Sequence, residues 1–246
     1  MSNIKLKLQV PTQLSDITLG EYQDYMKVMK NIQKDHEEET TEESERFVHL
    51  KMLQIFCGVD LRESYKLPIN VFSSVIEQIN GVLDHPAPLV KAFLLEVNGE
   101  KREFGLIPDI YKMSFGEYVD LDMFINDWST MHEAMAVLFR PILNKFDKYY
   151  EIEEYESSKK YSADFKRLSM DIVFGVLVFF YRLGMKLAKS IGISSLKNLK
   201  EMRQEDSNLE KRFLEKHGVG INQFTLSLEE TFVHFLRLPN SHFKSV

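Results

Sequence analysis

The sequence predicts a mainly α protein with a small antiparallel β element, and three observations carry that prediction. A helix-opening motif occurs twice: Ser114-Phe115-Gly116-Glu117-Tyr118-Val119-Asp120 matches Thr18-Leu19-Gly20-Glu21-Tyr22-Gln23-Asp24 at a constant offset. Each copy follows an aliphatic residue and a proline, Val10-Pro11 and Ile107-Pro108. In both copies a hydroxyl stands three places before a glutamate. This is the spacing at which the hydroxyl accepts from an early helical N–H while the carboxylate reaches back to the cap's own N–H. Several further runs repeat apolar residues at helical spacing. One run, residues 92 to 107, breaks instead at Asn98-Gly99, the pair that tolerates the positive φ values of a type I′ hairpin turn.

Taken in order, Ile4, Leu6, Leu8 and Val10 alternate with Lys5, Lys7 and Gln9, the pattern of a strand with one buried face that Pro11 ends. From Thr18 to about Gln33 the residues Leu19, Tyr22, Tyr25, Met26, Val28, Met29 and Ile32 form a helical stripe. The acidic run Asp35 to Glu43 is expected to be a solvated loop that supplies carboxylates to the next helix, Glu43 to Phe56, which Gly58 ends in a left-handed conformation. A third helix starts at Leu67-Pro68, where the missing N–H does no harm, and runs towards Leu83. The hairpin follows. The simplest closed sheet combines residues 3–10, 91–97 and 100–107, with a two-stranded ribbon as the alternative.

The second copy opens a helix from Ser114 to about Asn126 and another from about Ser129 to Phe139, with Thr130 and Glu133 as a further capping box. Arg140-Pro141 closes that helix, because proline disfavours a helical residue before it. Tyr149 to Tyr155 alternates weakly, as an edge strand would. Leu168-Ser169-Met170-Asp171-Ile172 echoes Leu67-Pro68-Ile69-Asn70-Val71, so each half reads as strand, proline and three helices, a duplicated unit. The helix from Met170 holds ten apolar or glycine residues, Ile172 to Tyr181, which is too few for a membrane span of about 20. The expected core includes Met135, Leu138, Phe139, Phe174, Leu177 and Phe180. The expected organisation is a first repeat over 1–90, a hairpin and second repeat over 91–192, and a helical extension over 193–246.

Composition limits the function. With 246 residues, 44% of them hydrophobic and 12% aromatic, the chain can build a sizeable core. A formal charge of −6 argues against nucleic acid as a partner, because sequence-independent binding needs a clustered basic surface. The single cysteine, Cys57, lies among apolar residues and reads as a buried thiol, compatible with a reducing cytoplasm. The alternating N-terminus does not read as a signal peptide.

Motifs of known chemistry are missing from the sequence: no GxxxxGK[ST], GxSxG, HExxH or paired CxxC occurs, and no two of the seven histidines have zinc-ligand spacing. The best polar candidates are Asp120, Asp122, Asp127, His132, Glu133 and Arg140. His132 and Glu133 beside Trp128 could form an acid–base pair, but neighbouring helix positions point about 100° apart. Arg140, between Phe139 and Pro141, is expected partly buried and paired with Asp120 or Asp122. No catalytic, metal or cofactor site is assigned.

The segments Ile107-Pro108-Asp109, Ser114 to Asp122, Met131 to Ile142, Met170 to Gly175 and Phe179-Phe180 together resemble a family of tailed-bacteriophage proteins found in crAss-like and other large phages. Members are described as tail assembly chaperones or as tail and baseplate morphogenesis proteins. The resemblance covers roughly residues 1–190 and implies a non-enzymatic assembly protein. Such a protein would bind phage tail or tape-measure proteins in the host cytoplasm; the alternative is a structural virion subunit of tail, baseplate or connector. It assigns no catalytic residue; no cofactor is expected, the charge argues against nucleic acid and the short apolar run against a membrane, and a homo-oligomer is allowed. A partner-binding arm is expected beyond Gly218 and Gly220, where Phe224, Leu228, Phe232, Phe235, Leu236 and Leu238 form an apolar stripe that either folds back or lies in a neighbour's groove.

Overall fold

The fold combines helices with a four-stranded antiparallel sheet, and aromatic rings cluster both on the sheet and among the helices. The computed structural model describes residues 8–35, 42–109, 112–147 and 149–180. The chain divides into two compact units, Met1–Phe174 and Gly175–Val246, and everything below except residues 175–180 belongs to the first. The helices are α1 (Leu19–Asp35), α2 (Glu42–Cys57), α3 (Leu61–Ser64), α4 (Ile69–Leu83), α5 (Phe115–Phe124), α6 (Met131–Leu138) and α7 (Ser162–Phe165). Residues 170–180 form a further helix, α8. The strands are β1 (Ala92–Val97), β2 (Glu100–Leu106), β3 (Phe139–Lys145) and β4 (Tyr150–Ile152), in spatial order β1-β2-β3-β4. The mainly α class with a small antiparallel element is therefore correct.

The hairpin forms where the turn chemistry places it. Asn98 at φ 53° and Gly99 at φ 81° make the tight turn, and Val97 pairs with Glu100 across it. The other members of the sheet differ from expectation. Residues 8–10 lie outside it, and residues 1–7 are outside the described residues. The third strand is β3, which pairs with β2 through Leu106–Phe139, Gly105–Arg140 and Phe104–Pro141. Phe139 is thus the first residue of a strand, not the last of a helix. The physical cause is the proline rule carried one step further: Pro141 forbids helix at Arg140, and the chain continues extended into the sheet. The weakly alternating segment after Tyr149 does become an edge strand, β4.

One aromatic cluster sits on the inner face of the sheet. Phe104 is fully buried, with ring centroids 5.2 Å from Phe165, 5.3 Å from Tyr161 and 5.9 Å from Phe93. The second holds the helical layer. Tyr22 of α1 lies 4.6 Å from Trp128 and 5.4 Å from Phe174 of α8, and Tyr25 lies 5.4 Å from Phe56 of α2. Offset and edge-on rings at these separations add specific attraction to the area they bury. Met135, Leu138, Phe139, Phe174, Leu177 and Phe180 are all buried, as the spacing indicated, and so is Cys57, whose thiol is pushed up to about 11 by burial.

The start of α1 is tied to the start of α8. Leu19 N donates to Leu168 O and Gly20 N to Lys166 O, both at 2.7 Å, while Met170 N returns to Ile17 O at 2.9 Å. Two N–H groups that a helix leaves unpaired at its beginning are satisfied in this way by the neighbouring chain. A Cβ on Gly20 would come within 3.1 Å of Lys166 O, so the glycine permits the close approach.

A duplicated unit is not confirmed. Both copies of the motif are capping boxes, with Glu21 N at 3.2 Å from Thr18 Oγ1 and Glu117 N at 3.3 Å from Ser114 Oγ. The paths then part: α1 leads to the 16-residue α2, whereas α5 leads to the 8-residue α6 and straight into β3. Gly20 lies against backbone as expected, but no described residue lies within 4 Å of a Cβ on Gly116. The box proposed at Thr130 is also absent. Its hydroxyl donates to Phe124 O and Asp127 O, each at 3.0 Å, and Asp127 caps the turn by accepting from Ser129 N at 2.9 Å.

Candidate functional site

The polar residues of the central stretch converge on a buried node between α5 and β3. Glu117 is held there by its helix start, where one carboxylate oxygen accepts from Ser114 N at 2.6 Å. The other pairs with Arg140 Nη2 at 2.6 Å, and both side chains are nine-tenths or more buried. Arg140 therefore has the buried carboxylate partner that its position demanded, but the partner is Glu117 and not Asp120 or Asp122. The reason is geometric: Glu117 lies on the face of α5 that also buries Leu121, whereas Asp120 and Asp122 are turned away. Asp120 instead accepts a very short hydrogen bond from Tyr155 Oη. The Tyr155 ring lies under the guanidinium of Arg140, 5.7 Å from its centroid, which compensates an Nε with no hydrogen-bond partner among the described residues. Burial and the Asp120 carboxylate both push the Tyr155 hydroxyl well above its ordinary range, so it stays a donor.

His132 and Glu133 point into different surroundings. His132 Nδ1 is 2.9 Å from Gln23 Nε2, and the same amide donates to Trp128 O at 2.6 Å. Burial lowers the pKa of His132, the Lys166 charge adds to that, and Glu133 opposes it, so the ring is neutral and accepts from Gln23. Glu133 faces the turn at residues 158–160, where Ser158 Oγ donates to it at 3.4 Å. Asp127 is lowered mainly by the backbone N–H of Ser129 and also pairs with Lys30 at 3.4 Å. Asp120, Asp127, His132, Glu133 and Arg140 thus each have a structural partner, and among the described residues His132 and Glu133 hydrogen-bond to different neighbours, Gln23 and Ser158, and not to each other.

Large apolar side chains, by contrast, stand in solvent on regular elements. On α5, Phe115 is 82% exposed, Met123 64% and Val119 37%. Leu143 of β3 and Phe146 and Tyr149 of the β3–β4 turn are exposed, as are Tyr65 before α4 and Ile69, its first residue. The sequence carried a sign of the α5 surface that periodicity alone did not expose: Phe115, Tyr118, Val119, Leu121, Met123, Phe124 and Ile125 are apolar around most of the helix, more than one buried face requires. The partner-binding residues assigned from sequence, Phe224, Leu228, Phe232, Phe235, Leu236 and Leu238, lie outside the described residues. Among the described residues no group of three His, Cys, Asp or Glu is arranged to hold a metal ion, and no helix is long and apolar enough to cross a membrane.

No protein-family model, curated protein or solved structure matches this chain.

Proposed function

We propose that the protein is a non-enzymatic binding factor for bacteriophage tail assembly, a chaperone-like protein that holds tail components in the infected cell. The observation that carries this reading is the division of labour just described. Most polar residues that could do chemistry, Asp122 apart, are engaged in caps, an ion pair, hydrogen bonds and ring contacts, while bulky apolar side chains are displayed on helix and strand surfaces. Exposed apolar groups on rigid elements are what a protein needs in order to hold other polypeptides. The resemblance of residues 107–142 and 170–180 to phage tail morphogenesis proteins supplies the biological setting.

Quantitative mass spectrometry of purified virions and infected-cell lysate tests the reading. It expects high abundance in the lysate, absence from the particle, and retention of a co-expressed tape-measure protein in the soluble fraction. Stoichiometric presence in virions would replace it with a structural subunit of the tail.

A further inference from the structure

The outward face of α5 carries more information than its exposure. At about 100° per residue, Phe115, Val119 and Met123 fall within about 80° of one another, with Gly116 beside Met123. Asp122 borders this stripe on one side and Asp120 on the other, and α5 contains no lysine or arginine. Its opposite face, Glu117, Leu121 and the following Ile125, is already buried in the chain. Glycine in a helix costs up to about 1 kcal/mol against alanine, and no described residue within 4 Å accounts for Gly116, whereas Gly20 is explained by Lys166. A stripe of this width with a glycine within it and carboxylates at both edges has the form of a helix-docking surface. The glycine lets a second backbone come close, and the acids select the charge of what docks.

We infer that the outer face of α5 docks an amphipathic helix of a partner protein, one whose apolar positions recur at i, i+3, i+4 and i+7 and are flanked by lysine or arginine. The inference rests on the protein-binding reading above and names the chemistry of its partner. A second copy of this chain fits less well, because two α5 faces would oppose Asp120 and Asp122 with their own kind.

The test titrates the full chain with a synthetic helical peptide of about 18 residues, leucine on one face and lysine beside it, and with a twin in which glutamate replaces every lysine. The lysine peptide is expected to bind, to shift the backbone resonances of Phe115, Gly116, Val119 and Met123, and to lose at least about tenfold in affinity to Met123→Lys. Leu94→Lys, on exposed β1, should leave binding unchanged. Gly116→Ala guards against a misfolded variant: it should melt no lower than the parent and still weaken the peptide. No binding, equal binding of the glutamate twin, an equal loss with Leu94→Lys, or a dimer in sedimentation that Met123→Lys dissolves would each overturn the inference. None of these would by itself bear on whether the protein is absent from virions, which tests the broader reading separately.

Discussion

The starts of α1 and α5 share a capping box and a glycine at the same position, yet one is closed within the chain and the other is open. Leu19 follows the cap in α1 and is fully buried; its counterpart Phe115 is 82% exposed. Gly20 touches the Lys166 backbone and donates to it, while Gly116 has open space around it. The glutamates differ too. Glu21 serves only its own cap, through Thr18 N and Oγ1 at 2.8 Å each, whereas Glu117 also neutralises Arg140 of β3. A short motif therefore fixes where a helix begins but not which way it faces. Facing is decided by what lies opposite, the Lys166–Ser169 segment for α1 and, for α5, helix α6 together with Arg140 of β3.

The largest expected effect separates the two glutamates. Arg140→Met leaves Glu117 buried without its counter-charge and should destabilise the protein by about 3–5 kcal/mol in urea unfolding, while the double variant with Glu117→Gln should lose clearly less. Hydrogen exchange should then speed up in α5 before α1; uniform acceleration would mean that the node holds the whole fold and not one helix.

Next comes the residue after each cap. Leu19→Ala should cost about 2–5 kcal/mol, because it empties a fully buried site, whereas Phe115→Ala should stay within about 0.5 kcal/mol. Equal losses would show that Phe115 is covered in solution.

A smaller effect concerns the contact of α1 with α6. The folded-state pKa of His132 lies below its ordinary value of 6.5, chiefly through burial, so the protonated ring is disfavoured in the fold. Its contribution is fully present above about pH 6.5 and declines as pH falls through the lower folded value. Comparing unfolding of the parent and His132→Asn between pH 7 and pH 5 should show the parent losing more.

What the sequence made legible follows the range of the forces involved. The capping boxes at Thr18 and Ser114, the Asn98-Gly99 turn, the left-handed Gly58 at φ 65° and the start of α4 after Pro68 rest on neighbours within four residues and appear where expected; the box at Thr130 does not, because its hydroxyl turns back to Phe124 O and Asp127 O. Errors arose where a residue's partner is distant in sequence. Arg140 announced that it needed a carboxylate but not which one, since the choice depends on how α5 rotates over β3. Phe139 is as apolar as a helix end requires, and only pairing with Leu106 decides that it is strand. The exposed α5 stripe was hidden for the same reason: an apolar residue in a helical pattern reads as core until the other side of the helix is seen to be occupied.

The most direct measurement of the difference between α1 and α5 is the pair Gly20→Ala and Gly116→Ala, compared in urea unfolding. A methyl on Gly20 must push against Lys166 O, itself held by the Gly20 N–H, whereas a methyl on Gly116 meets no described residue and removes only chain freedom. The account predicts opposite signs, a loss of about 1 kcal/mol at position 20 and a gain of about 0.5–1 kcal/mol at position 116. Destabilisation by both substitutions would contradict it, for the start of α5 would then be as closed as that of α1.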